Sequence, residues 1–481
     1  MNILFAASEA MPLAKTGGLG DVAGALPKAI RDKGADIRVI LPKYSSVPAL
    51  YADRFRRKAV YTVRMGWREQ ACGLLEAEID GLRFYLIEND DYFKREGLYG
   101  YEDEAERFVF FCLAVIGALP HLAFHPDIIH CNDWQTGLIP LLLKHQAAEN
   151  TQLRNIRTVF TIHNLQYQGI FPQEVLSDLL TALPELFTVD GFEFYGEGNC
   201  MKAGITYADK LTTVSHTYAE EIVTDEGGAL LGALLRHRAN DLVGIVNGID
   251  TVSFDPMNDP AISSPYRNSL ARKLPNKQAL QEELGLVQSE DTAVIGIVSR
   301  LTEQKGLDLL EAVLKELLAE QLQLVVLGVG DARYERLFAN AQNDYPGKVA
   351  VRFVHDEELA RRIYAGADMF LMPSRFEPCG LSQLIALHYR TIPIVRSTGG
   401  LKDTVFPFNH STGSGNGLSF AAYDPEELLI AVRDALALYE NKLLWKKIVE
   451  NCTRGDYSWN RSAARYMELY RQLLLQRKGN E

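Results

Sequence analysis

Short apolar runs alternate along this chain with longer stretches whose apolar residues recur every three or four positions, the pattern of buried strands between amphipathic helices. In the first half, strands are predicted at 3–7, 37–41, 127–130, 158–163, 210–215 and 243–246. A second series follows at 293–300, 322–327, 349–354, 369–372 and 392–395. The apolar run 108–119, closed by Pro120, reads as a buried helix. Between the two series lies the turn-rich Asn247-Gly248-Ile249-Asp250, and the stretch 251–290, rich in Pro, Asn and Ser, reads as a connecting region. The last helical pattern places Tyr466, Leu469, Tyr470, Leu473 and Leu474 on one face and is expected to pack on a domain surface. Alternation of this kind predicts an α/β fold. Two doubly wound domains of similar size are expected, 1–245 plus 460–481 and 246–459, with a cleft between them. Sheets of that type bind ligands at the carboxyl ends of their strands.

Composition narrows the choice of partners. The chain has 481 residues, ample for two or three substantial cores, with 47% hydrophobic and 23% charged residues. Its net charge of −12 argues against nonspecific binding to nucleic acid or to an anionic membrane, and leaves room for a neutral polymer such as a polysaccharide. No stretch reaches the length of a membrane span, and the N-terminus runs straight into a strand without a basic leader. The cysteines at 72, 112, 131, 200, 379 and 452 show no C-x-x-C spacing, so neither a zinc site nor a disulfide framework is expected, and a cytoplasmic location fits.

Candidate chemistry begins at Lys15-Thr16-Gly17-Gly18-Leu19-Gly20-Asp21-Val22, just after the first strand. A glycine loop entering a helix aims backbone N–H groups at a phosphate. Lys15 adds a cation, and Asp21 an acceptor for a sugar hydroxyl. The segment also fits the dinucleotide pattern G-x-G-x-x-G/A, a weak signal. Residues 8–16 separate strand from glycines, however, and the strand 37–41 ends in Pro42-Lys43 without an acid. A phosphate-bearing ligand such as a nucleotide-sugar is favoured over a nicotinamide cofactor.

Further polar groups stand at strand ends. The first domain offers His130-Cys131-Asn132-Asp133-Trp134 and Thr161-Ile162-His163-Asn164; a lone histidine there is more often structural, but two clusters and a glycine loop point to a site. In the second domain, Arg300 and Lys305 flank a loop that enters a helix, where two cations could meet one diphosphate. Alone, that segment would read as a solvated loop. Glu377 precedes a proline, which keeps its backbone out of helix geometry, and Ser397-Thr398-Gly399-Gly400-Leu401 repeats the glycine-loop logic. Together these features favour a nucleotide-diphosphate site.

In their order, the motifs resemble the bacterial glycogen synthases and plant starch synthases over nearly the whole chain. Lys15 to Val22 looks like that family's N-terminal signature. Thr161 to Asn164, Val246 to Asp250, Ser299 to Gly306, Arg375 to Leu381 and Ser397 to Leu401 follow in the family's order. The resemblance implies a two-domain, Rossmann-like glycosyltransferase fold of the B type. It implies retaining transfer of glucose from ADP-glucose to the non-reducing end of glycogen or another α-1,4-glucan, with no cofactor and no metal.

By position, the resemblance makes His163, Glu377, Arg300 and Lys305 the catalytic set. Arg300 and Lys305 would neutralise the diphosphate as it leaves, His163 would lie against the glucose, and Glu377 would bind sugar hydroxyls and favour the cationic transition state. Lys15 and Gly18 would meet the distal phosphate and sugar, and Asp21 the glucose or acceptor. Asp133 and Asn247 would support the site, while His355 stands where an aromatic residue can stack on the donor base. Cys379, Gly380, Leu381, Thr398, Gly399 and Gly400 complete it, with N–H groups near Leu381 and Gly400 facing the diphosphate and Cys379 packing. Retention ordinarily suggests a carboxylate nucleophile, and none is obvious here; the family points to a front-face route assisted by the leaving phosphate. The rival readings are a nucleotide-sugar 2-epimerase of the same fold and a silent glucan-binding protein.

Overall fold

The computed structural model describes residues 1–148, 150–180 and 187–478. The final residues 479–481 of the expected first domain therefore lie outside the described residues. The chain divides into two compact units, Met1–Asn247 with Trp459–Glu481, and Gly248–Ser458.

The first unit is built on β1 (Asn2–Ala6), β2 (Asp36–Pro42), β3 (Arg56–Met65), β4 (Arg68–Ile79), β5 (Leu82–Glu88), β6 (Ile128–Asn132) and β7 (Arg157–Ile162). A small antiparallel sheet, β8 (Ile170–Pro172), β9 (Glu193–Phe194) and β10 (Glu197–Asn199), intervenes before β11 (Lys210–Thr213) and β12 (Leu242–Gly244). The main sheet has the order β12-β11-β7-β6-β1-β2-β5-β4-β3. Its parallel part runs outward from β1 in one direction and from β6 in the other, so strand order reverses between β1 and β6. The core strands β1 and β6 are buried along nearly their whole length, as strands covered on both faces are, although β6 carries His130 and Asn132 among its apolar residues. By contrast β3 and β4 pair antiparallel and alternate exposed charged residues with buried apolar ones, which hides them from a search for continuous apolar runs.

The second unit holds β13 (Ala293–Val298), β14 (Leu322–Leu327), β15 (Val349–Arg352), β16 (Met369–Met372), β17 (Ile392–Arg396) and β18 (Leu418–Phe420). All pair in parallel in the order β15-β14-β13-β16-β17-β18. This is the doubly wound arrangement, with its reversal between β13 and β16, and hydrophobic clusters fill both faces.

The stretch expected to be only a connection contains a helix, Leu270–Leu284. Its buried face carries Lys273, Asn276, Lys277 and Gln281 beside Leu280 and Leu284, so its apolar stripe is interrupted. Lys273 Nζ donates to Ala365 O at 2.7 Å and to Thr391 Oγ1 at 2.8 Å, and Lys277 pairs with Asp368 at 2.8 Å. Buried polar groups so satisfied can replace apolar packing.

The last helix, Trp459–Lys478, packs on the first unit against the helix Gly18–Arg31. Ser462 Oγ donates to Val246 O at 2.5 Å, and Tyr470 OH lies 2.6 Å from Nδ1 of the buried His130. Thr161 Oγ1 holds the other ring nitrogen at 2.6 Å. No helix among the described residues is long and apolar enough to cross a membrane.

Candidate active site

In each unit the polar candidates stand beyond the carboxyl ends of the parallel strands, most of them near the reversal of strand order but Asn247 and His355 beyond the edge strands β12 and β15. In the first unit the chain leaves β1 through Ser8 and Glu9 and enters the helix Gly18–Arg31 through the glycine loop. Lys15 and Asp21, expected to face different parts of a ligand, form an ion pair at 2.8 Å. Glu9, which sequence reasoning passed over, is buried and accepts hydrogen bonds from the backbone N–H groups of Thr16 and Gly20. Two of the amides expected to face a phosphate are thus occupied by a carboxylate of the chain itself.

Across the reversal, Asp133 follows β6 with φ 55° and ψ −179°, outside the left-handed helical region and in a strained conformation that is otherwise almost confined to glycine. Its Oδ1 accepts from the N–H of His163 at 2.7 Å, which fastens the ends of β6 and β7 together. Burial pushes the Asp133 carboxyl up to about 7, against the opposing pull of N–H donation from His163 and Asn164. His163 is the first residue beyond β7, and its Nε2 lies 2.9 Å from Asn132 Oδ1, a pairing that places the ring proton on Nε2. Burial holds its pKa down to about 3, so the imidazole is neutral and can offer hydrogen bonds but no charge. Asn132 belongs to the strand-end cluster that the sequence singles out, but its role of holding the His163 ring is not visible there. Asn247, after β12, is buried with its Oδ1 unpartnered among the described residues.

The second unit brings its candidates closer together. Lys305 follows β13 and Glu377 follows β16; Nζ and Oε2 are 2.7 Å apart. Ser374 Oγ donates to the same carboxylate oxygen at 3.0 Å. The backbone carbonyl of Glu377 accepts the N–H of Gly400 at 3.0 Å, so this amide too is committed within the protein rather than left for a diphosphate. Close approach explains two glycines. A Cβ on Gly306 would stand 1.9 Å from Pro373 O, and one on Gly399 2.0 Å from Glu377 O; both residues have positive φ, 70° and 44°. These contacts seat the loop after β16 between those after β13 and β17.

Leu381 and Thr398 cap the helices Ser382–His388 and Gly399–Thr404. Gln383 holds the Cys379 and Gly380 carbonyls through its Nε2, at 3.0 and 2.9 Å. Arg396 Nε, also unanticipated, donates to Ser374 O at 2.8 Å and steadies the Glu377 loop. The Thr302 hydroxyl, between Arg300 and Lys305, is buried without a partner among the described residues. Arg300 is exposed at the end of β13, while His355 lies exposed beyond the edge strand β15. The described residues contain no group of His, Cys, Asp and Glu that could hold a metal ion. Cations at strand ends, a buried carboxylate and neutral polar groups suit transfer chemistry on a phosphorylated sugar.

Comparison with known proteins bears on that chemistry. Residues 2–237 match the family described as starch synthase catalytic domain, and residues 282–451 match glycosyl transferases group 1. The chain is 52% identical over 476 residues to a glycogen synthase of Clostridium novyi (strain NT), covering 98% of this chain and 99% of the other. It is 50% identical over 475 residues to a glycogen synthase of Geobacillus stearothermophilus, covering 98% of each. Among solved structures, the catalytic domain of starch synthase IV from Arabidopsis thaliana, bound to ADP and acarbose, superposes with a TM-score of 0.91. Its sequence identity is 34%, with 98% of this chain and 99% of that chain covered. A sucrose-phosphate synthase from Thermosynechococcus elongatus, 19% identical with a TM-score of 0.62 over 99% of each chain, shares the fold.

Proposed function

The chain belongs to the starch synthase catalytic-domain family of glycosyltransferases, and from that premise we propose that it is a glycogen synthase using ADP-glucose. Glucose passes from this donor to the non-reducing end of an α-1,4-glucan with retention, and ADP leaves. The observation that carries the reading is the Lys305–Glu377 pair at the strand-order reversal of the second sheet, in a chain matched end to end by glycogen synthases.

Lys305 and Arg300 take up the charge that grows on the departing diphosphate, a form of electrostatic stabilisation greatest in the transition state. Glu377 binds sugar hydroxyls and favours the positive charge on the ring, with Ser374 fixing its orientation. His163, neutral, lies against the glucose as a hydrogen-bonding wall, and Asp133 fixes it through its backbone N–H. Lys15 meets the distal phosphate. Asp21 and Asn247 of the first unit, and His355 and the loops around Gly380, Leu381, Thr398 and Gly400 of the second, are further substrate-binding groups in this reading, with Cys379 packing behind them.

Transfer of labelled glucose to glycogen tests this, with ADP-glucose and UDP-glucose side by side in the presence of a chelator. Incorporation from ADP-glucose well above that from UDP-glucose is expected. Label from neither donor would sink the proposal, and equal label from both would remove its donor assignment.

A further inference from the structure

Glu9 has no part in the roles above, yet it sits where the first sheet reverses its strand order. It is 3% exposed and lies just beyond β1. Its Oε2 accepts from the Thr16 N–H at 2.5 Å and from Thr16 Oγ1 at 2.9 Å, while Oε1 accepts from the Gly20 N–H at 3.2 Å. These donors bracket Gly17, Gly18 and Leu19. Lys15 stands immediately before them and Asp21 immediately after, and those two are paired at 2.8 Å. One side chain therefore ties both ends of the glycine segment back to the end of β1.

The arrangement also says what Glu9 does not do. A carboxylate enclosed to this degree, with both oxygens accepting, is not placed to attack a sugar, so it is not the nucleophile that retention would ordinarily call for. Asp21 and Asp133 add negative charge nearby, and burial raises its pKa against the lowering effect of the Thr16 and Gly20 bonds. Charge-assisted bonds to backbone N–H groups are the strong kind, and here they act on the loop.

We propose that Glu9 is a positioning residue for the donor: by joining Thr16 to Gly20 in the first turn of the helix, it holds the Lys15–Gly17 turn in the shape that presents the Lys15 ammonium to the distal phosphate. The proposal rests on the reading of Lys15 given above. Gly17 and Gly18, at the junction of turn and helix, let the entry to the helix sample many conformations, and Glu9 selects one before the ligand arrives. Without that anchor the cost of ordering the loop falls on donor binding, and affinity drops by the fraction of molecules that are competent.

The test is Glu9→Gln, in which the amide NH2 would face either the Thr16 donors or the Gly20 N–H. Steady-state kinetics with ADP-glucose and glycogen are combined with titration calorimetry of ADP and thermal melts. Donor KM and the ADP dissociation constant should each rise about tenfold, while the KM for glycogen and the melting temperature hold. A merely structural role would lower the melting temperature or the active fraction and leave both donor constants alone. Unchanged donor constants in Glu9→Gln, beside a parent that binds ADP, would overturn the proposal alone. A parent that binds no ADP would overturn the donor reading with it. Should Glu9→Gln fail to fold, Thr16→Val removes one donor at an exposed position. It should raise the ADP dissociation constant about threefold, and an unchanged constant would overturn the proposal.

Discussion

Lys305 Nζ and Glu377 Oε2 meet at 2.7 Å across the point where the strand order of the second sheet reverses. Their side chains are only 17% and 8% exposed, so removing one would leave its partner's polar head enclosed and unpaired. The cation proposed for the diphosphate and the carboxylate proposed for the sugar are thus one electrostatic unit, and removing either changes the environment of its partner.

The two variants should nevertheless separate kinetically. Glu377→Ala removes a group proposed to act on the charged transition state, so kcat should fall about 100-fold or more with little change in ADP affinity. Lys305→Ala removes a phosphate contact, and donor KM should rise about tenfold or more. Steady-state rates with ADP calorimetry check both. An unchanged kcat in the first, or an unchanged donor KM in the second, would take that residue out of its role.

Gly399 bears on the same pair through the backbone. A Cβ there would approach Glu377 O to 2.0 Å at a φ of 44°. Gly399→Ala should cost about 2–4 kcal/mol in urea unfolding and lower activity by displacing Glu377. A variant as stable and as active as the parent would show that the loop after β17 does not hold Glu377 in place.

Acid should loosen the first unit through its histidines. Burial lowers the pKa of His130 to about 3, and the cost of protonation falls on the native state. Between pH 6.5 and 3 the unfolded chain binds this proton and the folded chain does not. Stability from His130 is therefore present above pH 6.5 and is lost as pH falls, by about 2–3 kcal/mol at pH 4.5. Urea unfolding of the parent and of His130→Asn at pH 7 and pH 4.5 reads this directly. Equal losses in the two proteins would place the acid sensitivity elsewhere.

Asp133 works with the opposite sign. Its folded pKa, raised to about 7, means that folding takes up a proton, so its contribution is full below pH 3.8 and is lost as pH rises through 7. Asp133→Asn keeps an oxygen for the His163 N–H and removes the buried charge. It should therefore be more stable than the parent at pH 8, by about 1–3 kcal/mol, and gain little at pH 4. Unfolding free energies at the two pH values decide it. A loss of stability at pH 8 would mean that the charge itself holds the β6 and β7 ends together.

Much of this site is legible in the sequence because chemistry and topology coincide at strand ends. A run of apolar residues announces a buried parallel strand, and the first polar residues beyond it, such as His163 after β7, stand at the binding edge. The same logic finds Lys305 and Glu377. It does not reveal that they touch, nor that Lys15 and Asp21 pair with each other, because an ion pair and two separate ligand contacts use the same residue types. Glu9 escapes, and Asn132 is found without its role, because their task is to hold a neighbouring segment, which leaves no periodic trace. The helix Leu270–Leu284 escapes for a different reason: lysines and amides share its buried face with only Leu280 and Leu284, and their partners come from distant segments.

The return of the chain after Ser458 has a consequence for synthesis. The first unit receives its last helix from Trp459–Lys478, and with it Tyr470, the hydroxyl that meets His130. A nascent chain emerging from the ribosome makes residues 1–247 first, yet that unit stays incomplete, with the surface for its last helix open, until all of Gly248–Ser458 has followed. The second unit is contiguous and can mature as it appears. The order of emergence is therefore the reverse of the order of completion, and the half begun first is finished last.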